Sequence, residues 1–244
     1  MISSAYYGLV VSLLERIERT QGQALAEAAR AIKHALDEGG VLHAFSTGHS
    51  HMIVEEMFYR AGGLVPVNAI LDPGTMLHQG ASRSTRLERL TGYAEVILQG
   101  VETRPGEPII LISNSGINAV PIEMALLAKA RGLVVIAITS RSISQQLEPR
   151  HPSGKRLLDI ADVVLDNCIE ESDAAVEIPR SGMRVGALSS IAGIYLVERL
   201  GLAVIDEYLR AGQTPPVFIS ANTPGGDEWN RELVDKYKGR IRGL

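Results

Sequence analysis

Two short turns carry the residues with the clearest chemical potential. Ser46-Thr47-Gly48-His49-Ser50-His51 and Ser113-Asn114-Ser115-Gly116-Ile117-Asn118 each follow an apolar run of strand length, and each leads into a helical pattern. A strand that ends in small hydroxyl residues and passes at once into a helix offers backbone N–H groups, hydroxyl donors and the positive end of a helix dipole. That combination suits an anion. Gly48 and Gly116 let the backbone approach a ligand closely. Gly48, Ser50, Ser113, Asn114, Ser115 and Gly116 are therefore expected to bind a phosphate group, and two such turns on one sheet can share one phosphate. Ser, Thr and Asn are also ordinary helix caps, so each turn admits a purely structural reading. Beside the first turn, His51 and Glu55 lie one helical turn apart and share a face, a local base–acid pair.

The remaining candidates have plainer readings. Glu56 and Arg60 are spaced as a surface helix pair. His43 falls inside a strand, and His34 on an N-terminal helix. His151 sits among Arg150, Lys155 and Arg156, a basic cluster that either attracts an anion or is a solvated loop. Cys168, the one cysteine, lacks a cationic neighbour in sequence and reads as a half-buried thiol. The tail SANTPGGDEWN contains a Pro224-Gly225-Gly226 turn, Asp227 as a helix cap and Trp229 as an anchor. His49 and His51 are two residues apart, on different sides of a helix, so no metal site and no cofactor are expected. There is no GxGxxG after the first strand, no HExxH and no GxSxG. Gly154-Lys155 lacks the earlier P-loop glycine, where Pro149 stands.

The elements that must position these residues follow from hydrophobic periodicity. Apolar residues at three- and four-residue steps over the first forty positions predict helices, split near Gly22. Strands are expected at 41–46, 64–71, 108–113, 133–139 and 163–167. Helices are expected at 51–61, within 86–98, at 118–132 and from Gly186 to Gly212. Residues 72–86 read as an ordered polar loop that carries His78. Continuous apolar strands alternating with helices predict an α/β fold, a mostly parallel five-stranded sheet with helices on both faces, with ligands beyond the strands' carboxyl ends. The 244 residues are expected to form one domain over 1–244, with a helical N-terminal extension and a short C-terminal tail. Lys and Arg number 24 against 28 Asp and Glu, a net charge of −4, which argues against nucleic-acid binding. The N-terminal apolar run is broken by charges at Glu15, Arg16, Glu18 and Arg19. No membrane association and a cytoplasmic location are expected.

These turns resemble those of the SIS (sugar isomerase) family. Gly48-His49-Ser50 matches its first, GxS-type turn, and Ser113-Asn114-Ser115-Gly116 its SxSGxT turn, with Asn118 in place of the usual threonine. Stretches such as GHSHMIVEEMFYRAGGL, ISNSGINAVPIEMA and RHPSGKRL are similar to stand-alone SIS proteins, some provisionally described as phosphoheptose isomerases. The resemblance implies a three-layer SIS fold and a phosphorylated sugar or amino sugar as ligand, with Asn118 added to the phosphate set. It also implies a homodimer or homotetramer. The implied reaction is aldose–ketose isomerisation through an enediolate, with an amino-sugar-phosphate lyase or etherase, or a non-catalytic sensor, as alternatives. Isomerisation needs a base for the proton alpha to the carbonyl, a donor for the enediolate oxygen and a group that opens the ring. His51 and Glu55 suit these roles, and the resemblance adds His78 as a ring-opening histidine. Phosphohexulose isomerases of the fold carry an arginine where Arg60 falls, whereas phosphoheptose isomerases carry a glutamate there.

Overall fold

Five apolar runs form the strands β1 (Leu42–Ser46), β2 (Val67–Ile70), β3 (Pro108–Ile112), β4 (Val134–Thr139) and β5 (Val163–Asp166) in the computed structural model, which describes residues 2–244. All four pairings are parallel and the spatial order is β2-β1-β3-β4-β5. Successive side chains of a strand face opposite ways, so the continuous apolar runs feed two cores. Leu42, Ala44, Ile110, Ile112, Ile136 and Ile138 meet α1 (Ile2–Thr20), α2 (Gly22–Asp37), α3 (His51–Met57) and α9 (Ser189–Arg210) on one face. Phe45, Ile109, Leu111, Val135 and Ala137 meet α5 (Tyr93–Gln99), α6 (Ala119–Ala130) and α8 (Leu157–Ile160) on the other. The three-layer α/β architecture expected from the sequence is present.

Several boundaries differ, each for a local reason. The helix expected to reach residue 61 ends at Met57, and Tyr59 adopts φ +50. The chain leaves the helix there to place Phe58 beside Val41, Val65 and the C-terminal segment, with the Tyr59 ring 5.1 Å from that of Phe218. The polar stretch after β2 is more ordered than a loop. It holds a 3-10 turn at Leu77–Gln79 and then α4 (Ala81–Leu87). Gly92, at φ +90, separates α4 from α5, so the helical pattern of 86–98 is two helices. The long helix begins at Ser189, three residues later than expected. Gly186 and Ala187 instead belong to an antiparallel hairpin of β6 (Ala174–Glu177) and β7 (Arg184–Ala187). Gly186 is needed there, because a Cβ would lie 2.9 Å from the Tyr6 ring. Between β4 and β5 lie α7 (Arg141–Gln146) and α8. In the tail, Gly225 and not Asp227 occupies the N-cap of α10 (Gly226–Tyr237), while Trp229 anchors it by donating to the Val217 carbonyl at 2.9 Å.

The end of the sheet opposite the turns is closed by a buried charge network. Glu107, 2% exposed, precedes β3 and accepts from the Val41 N–H at 3.0 Å, the Arg104 N–H at 2.7 Å and Arg240 Nη2 at 2.7 Å. Its Oε2 lies 3.0 Å from His43 Nε2, and Asn68 Nδ2 lies 3.0 Å from His43 Nδ1. Burial opposes the Glu107 charge, yet these donors together hold its carboxyl down at about 2. A depressed carboxyl stabilises the fold at pH values above its unfolded value, and that contribution is lost as pH falls through the folded value. The network is thus expected to supply about 3 kcal/mol at pH 7, a contribution that drains away between roughly pH 4.5 and 2. Urea unfolding checks this: Glu107→Gln should be less stable than the parent by several kcal/mol at pH 7, and the gap should narrow steadily below pH 4.5.

Candidate functional site

The order of the sheet brings the two turns together. The chain steps from β1 outward to β2, then crosses back to β3 on the other side of β1, so the strand order reverses between β1 and β3. Ser46 pairs with Ile112 in register, and the turns start one residue beyond, at Thr47 and Ser113. The Ser46 hydroxyl donates to the Ile112 carbonyl at 2.6 Å and ties the two strand ends. Open parallel sheets bind ligands at such a reversal, outside the carboxyl ends of the strands.

In the first turn, Gly48 takes φ +58 and its N–H donates to the Thr75 carbonyl at 2.9 Å. Thr47 donates its hydroxyl to Glu88 Oε2 at 3.0 Å. Ser50 stands at the N-cap of α3, but its side chain makes no capping bond and is half-buried. In the second turn, Ser113 Oγ accepts from the Gly116 N–H at 3.2 Å, and Gly116 sits at φ +63. A Cβ on Gly116 would lie 3.0 Å from Thr139 Oγ1. Ser115 is half-buried with no side-chain partner among the described residues. Asn114 turns its side chain away to β5's end, where Oδ1 accepts from Asn167 Nδ2 at 2.7 Å. Asn118 is the N-cap residue of α6 and also makes no capping bond. By contrast Ser140 caps α7, accepting from the Ile143 N–H at 3.0 Å. The capping explanation therefore holds for Ser140 and not for Ser50 or Asn118.

His51, Glu55 and His78 converge beside the first turn. His51 is 3% exposed, and its Nδ1 bonds the Gly48 carbonyl. A carbonyl can only accept, so that bond places a proton on Nδ1, and Nε2 faces Glu55, whose Oε1 lies 3.8 Å away. His78 arrives on the Leu77–Gln79 turn, its ring 5.3 Å from that of His51 and set edge-on. The loop that carries it is folded down by Asp72, which accepts from the Thr75 N–H at 2.8 Å, and by Ser84, which donates to the Thr75 carbonyl at 2.7 Å. Ligating atoms of the three side chains lie within 4.8 Å of one another. The set can pass protons between a fixed imidazole, a carboxylate and a second, exposed imidazole. Two imidazole nitrogens and one carboxylate oxygen also form a donor set for a divalent cation, an arrangement that only the folded loop creates.

The other sequence candidates lie apart. Glu56, expected to pair with Arg60 on one helix, still meets it, although Arg60 lies beyond the end of α3; His43 belongs to the Glu107 network, and His151 bonds Ser153 in its own loop. Cys168 is buried at φ +58, and burial pushes its thiol above the ordinary range, which removes it as a nucleophile. Two contributions were not anticipated. Glu88 joins the turns, since its side chain takes the Thr47 hydroxyl while its carbonyl accepts the Val120 N–H of α6 at 3.0 Å. The first turns of α9 pack on the Gly48–Ser50 turn and on α3, where a Cβ on Gly193 would meet Ile53 at 2.3 Å. The signal for α9 was present in its small residues. Glu88 carried none, being one charge in an amphipathic stretch.

Comparison with known proteins identifies the family and the fold. A family model for the SIS domain matches residues 5–140. A UPF0309 protein of Caldanaerobacter subterraneus subsp. tengcongensis is 41% identical over 242 residues, 98% of each chain. The phosphoheptose isomerase GmhA from Neisseria gonorrhoeae shares the fold with a TM-score of 0.56 at 19% identity, over 84% of this chain and 97% of that one. A phosphoheptose isomerase from Francisella tularensis gives 0.54 at 15%, over 84% and 96%. No helix among the described residues is long and apolar enough to cross a membrane. With the SIS model matching more than half of its length and a relative of this identity matching nearly all of it, the chain belongs to the SIS domain family, among its UPF0309 proteins.

Proposed function

We propose that this protein binds a phosphorylated sugar at the paired turns and interconverts its aldose and ketose forms. The observation that carries the reading is the set of unspent groups at one end of the sheet. Ser50 and Ser115 keep free hydroxyls, Asn118 is released from capping, and the His51–Glu55–His78 cluster stands beside them. A phosphate on the turns would place the carbon chain of the sugar along α3. His51 Nε2, with its tautomer set by the Gly48 carbonyl, is positioned to take the proton alpha to the carbonyl, and Glu55 to steady the imidazolium that forms. His78, exposed on its loop, serves ring opening. The fold it shares with proteins named phosphoheptose isomerases supports a sugar phosphate as the ligand class. Glu55 and His78 face solvent, and a second copy in a homodimer or homotetramer would close that side.

Thermal unfolding across a panel of sugar phosphates, each beside its unphosphorylated sugar, tests the binding step. A true ligand at 100 times its Kd adds ~2.7 kcal/mol of stability. Stabilisation by at least one sugar phosphate is expected, with none from the free sugar, and it should vanish in the Ser113→Ala, Ser115→Ala double variant. A flat panel would sink the reading.

Turnover of the stabilising compound tests the chemistry. His51→Asn keeps a donor for the Gly48 carbonyl and removes the base, so kcat should fall at least ~100-fold while binding persists. Glu55→Gln should cost less. Release of a fragment such as lactate would instead identify an etherase, and binding without turnover a sensor.

A further inference from the structure

The second turn is short of positive charge for the ligand proposed above. α6 is the helix whose dipole and free N–H groups should favour a phosphate, yet its first turn is largely spent. The Val120 N–H is taken by the Glu88 carbonyl, and Pro121 has no N–H at all. The serine hydroxyls add donors without charge. A phosphate seated on Ser113–Asn118 would gain from a cation brought in from elsewhere in the chain.

The basic loop between α7 and α8 reaches this turn. Both of its ends are fixed to adjacent carbonyls of the turn itself: the Arg150 N–H donates to Ile117 at 2.8 Å, and the Leu157 N–H donates to Gly116 at 2.9 Å. Arg156 turns its guanidinium inward, donating to the carbonyls of Leu147 at 3.0 Å and Gln145 at 3.5 Å. Arg150 does the opposite. Its Nη1 donates to Asn118 Oδ1 at 2.6 Å, and the side chain is exposed. The partner is a neutral amide and not a carboxylate, so the positive charge is not neutralised there. With Oδ1 engaged, Asn118 has its Nδ2 donor left for a ligand. A planar guanidinium has further N–H groups on the same fork, a geometry matched to phosphate.

We propose that Arg150 is a phosphate-binding residue of this site, its guanidinium held at the Ser113–Asn118 turn by Asn118 and donating to the ligand's phosphate together with the serines. This rests on the phosphosugar reading above. It gives the asparagine at position 118 a purpose: its side-chain oxygen anchors the arginine and its side-chain nitrogen faces the ligand.

Titration calorimetry with inorganic phosphate, and with the sugar phosphate that most stabilises the parent protein, tests the proposal. Arg150→Gln should weaken both about 10- to 100-fold and flatten the dependence of affinity on salt. Its melting temperature without ligand should match the parent, because the exposed side chain makes one hydrogen bond. Arg150→Lys, which keeps the charge without the fork, should bind with an affinity between the two. Lys155→Gln removes the same charge from the same loop at an exposed position with no side-chain bond to the turn, and should bind like the parent. Parent-like binding by Arg150→Gln, or an equal loss in Lys155→Gln, overturns the role of Arg150. If the Ser113→Ala, Ser115→Ala variant loses binding in that same series, the phosphosugar reading survives. Absence of binding by the parent protein overturns both.

Discussion

Everything at this site depends on the parallel pairing of β1 with β3. The two strands are distant in sequence, yet their register sets Ser46 opposite Ile112 and so brings the turns that follow to one level. A slip of one residue would exchange the faces of every side chain on a strand buried on both sides. Ala44 and Phe45 would trade cores, and the first turn would move along the sheet relative to the second. The strands are held by apolar contact over both faces. The hydroxyl of Ser46, bonded to the Ile112 carbonyl, is the polar contact that marks the register at the functional end.

The two ends of the sheet handle polar groups in opposite ways. At the far end, Glu107 accepts from His43, Arg240 and backbone N–H groups in a buried network that holds its carboxylate ionised, with Asn68 bonded to His43. At the near end, hydroxyls and an amide that would ordinarily close helix ends are left without that work. Leaving polar groups unpaired in a buried place is costly, and a half-buried place that meets water avoids most of the cost. The far end is thus closed around a buried charge, while the near end keeps the Ser50 and Ser115 hydroxyls without a side-chain partner among the described residues.

Strand positions, the parallel sheet and the two turns were legible in the sequence because each depends on local patterning: apolar runs, glycines and hydroxyls at fixed offsets. His51 and Glu55 were legible for the same reason, since helical spacing alone sets them on one face. What was not legible depends on long-range contacts. Tyr59 leaves the helical pattern for a ring contact with Phe218, far along the chain. Gly186 leaves the helix for a hairpin that Tyr6 fits against. The link from Thr47 to Glu88 and the guanidinium of Arg150 at Asn118 are likewise made between loops with no shared period. The bond from Asn167 to Asn114 Oδ1 is another such contact, joining the second turn to the residue after β5.

A SIS fold serves several chemistries, so the fold fixes a place for a ligand and not a reaction. The case for proton transfer lies in His51. A protein that only sensed a phosphosugar would need the turns and a surface that changes on binding. His51 is nearly as buried as His43, but where His43 is spent in the Glu107 network, His51 bonds a carbonyl through Nδ1 and turns Nε2 toward Glu55. Burial of that ring excludes water from one side, and the carbonyl selects one tautomer, which is the arrangement a general base requires. The carbonyl belongs to Gly48, the same residue whose N–H is held by Thr75. A single peptide segment thus sets both the backbone of the first turn and the tautomer of His51. In the function proposed, the segment that would bind the phosphate would also hold the ring that moves the proton.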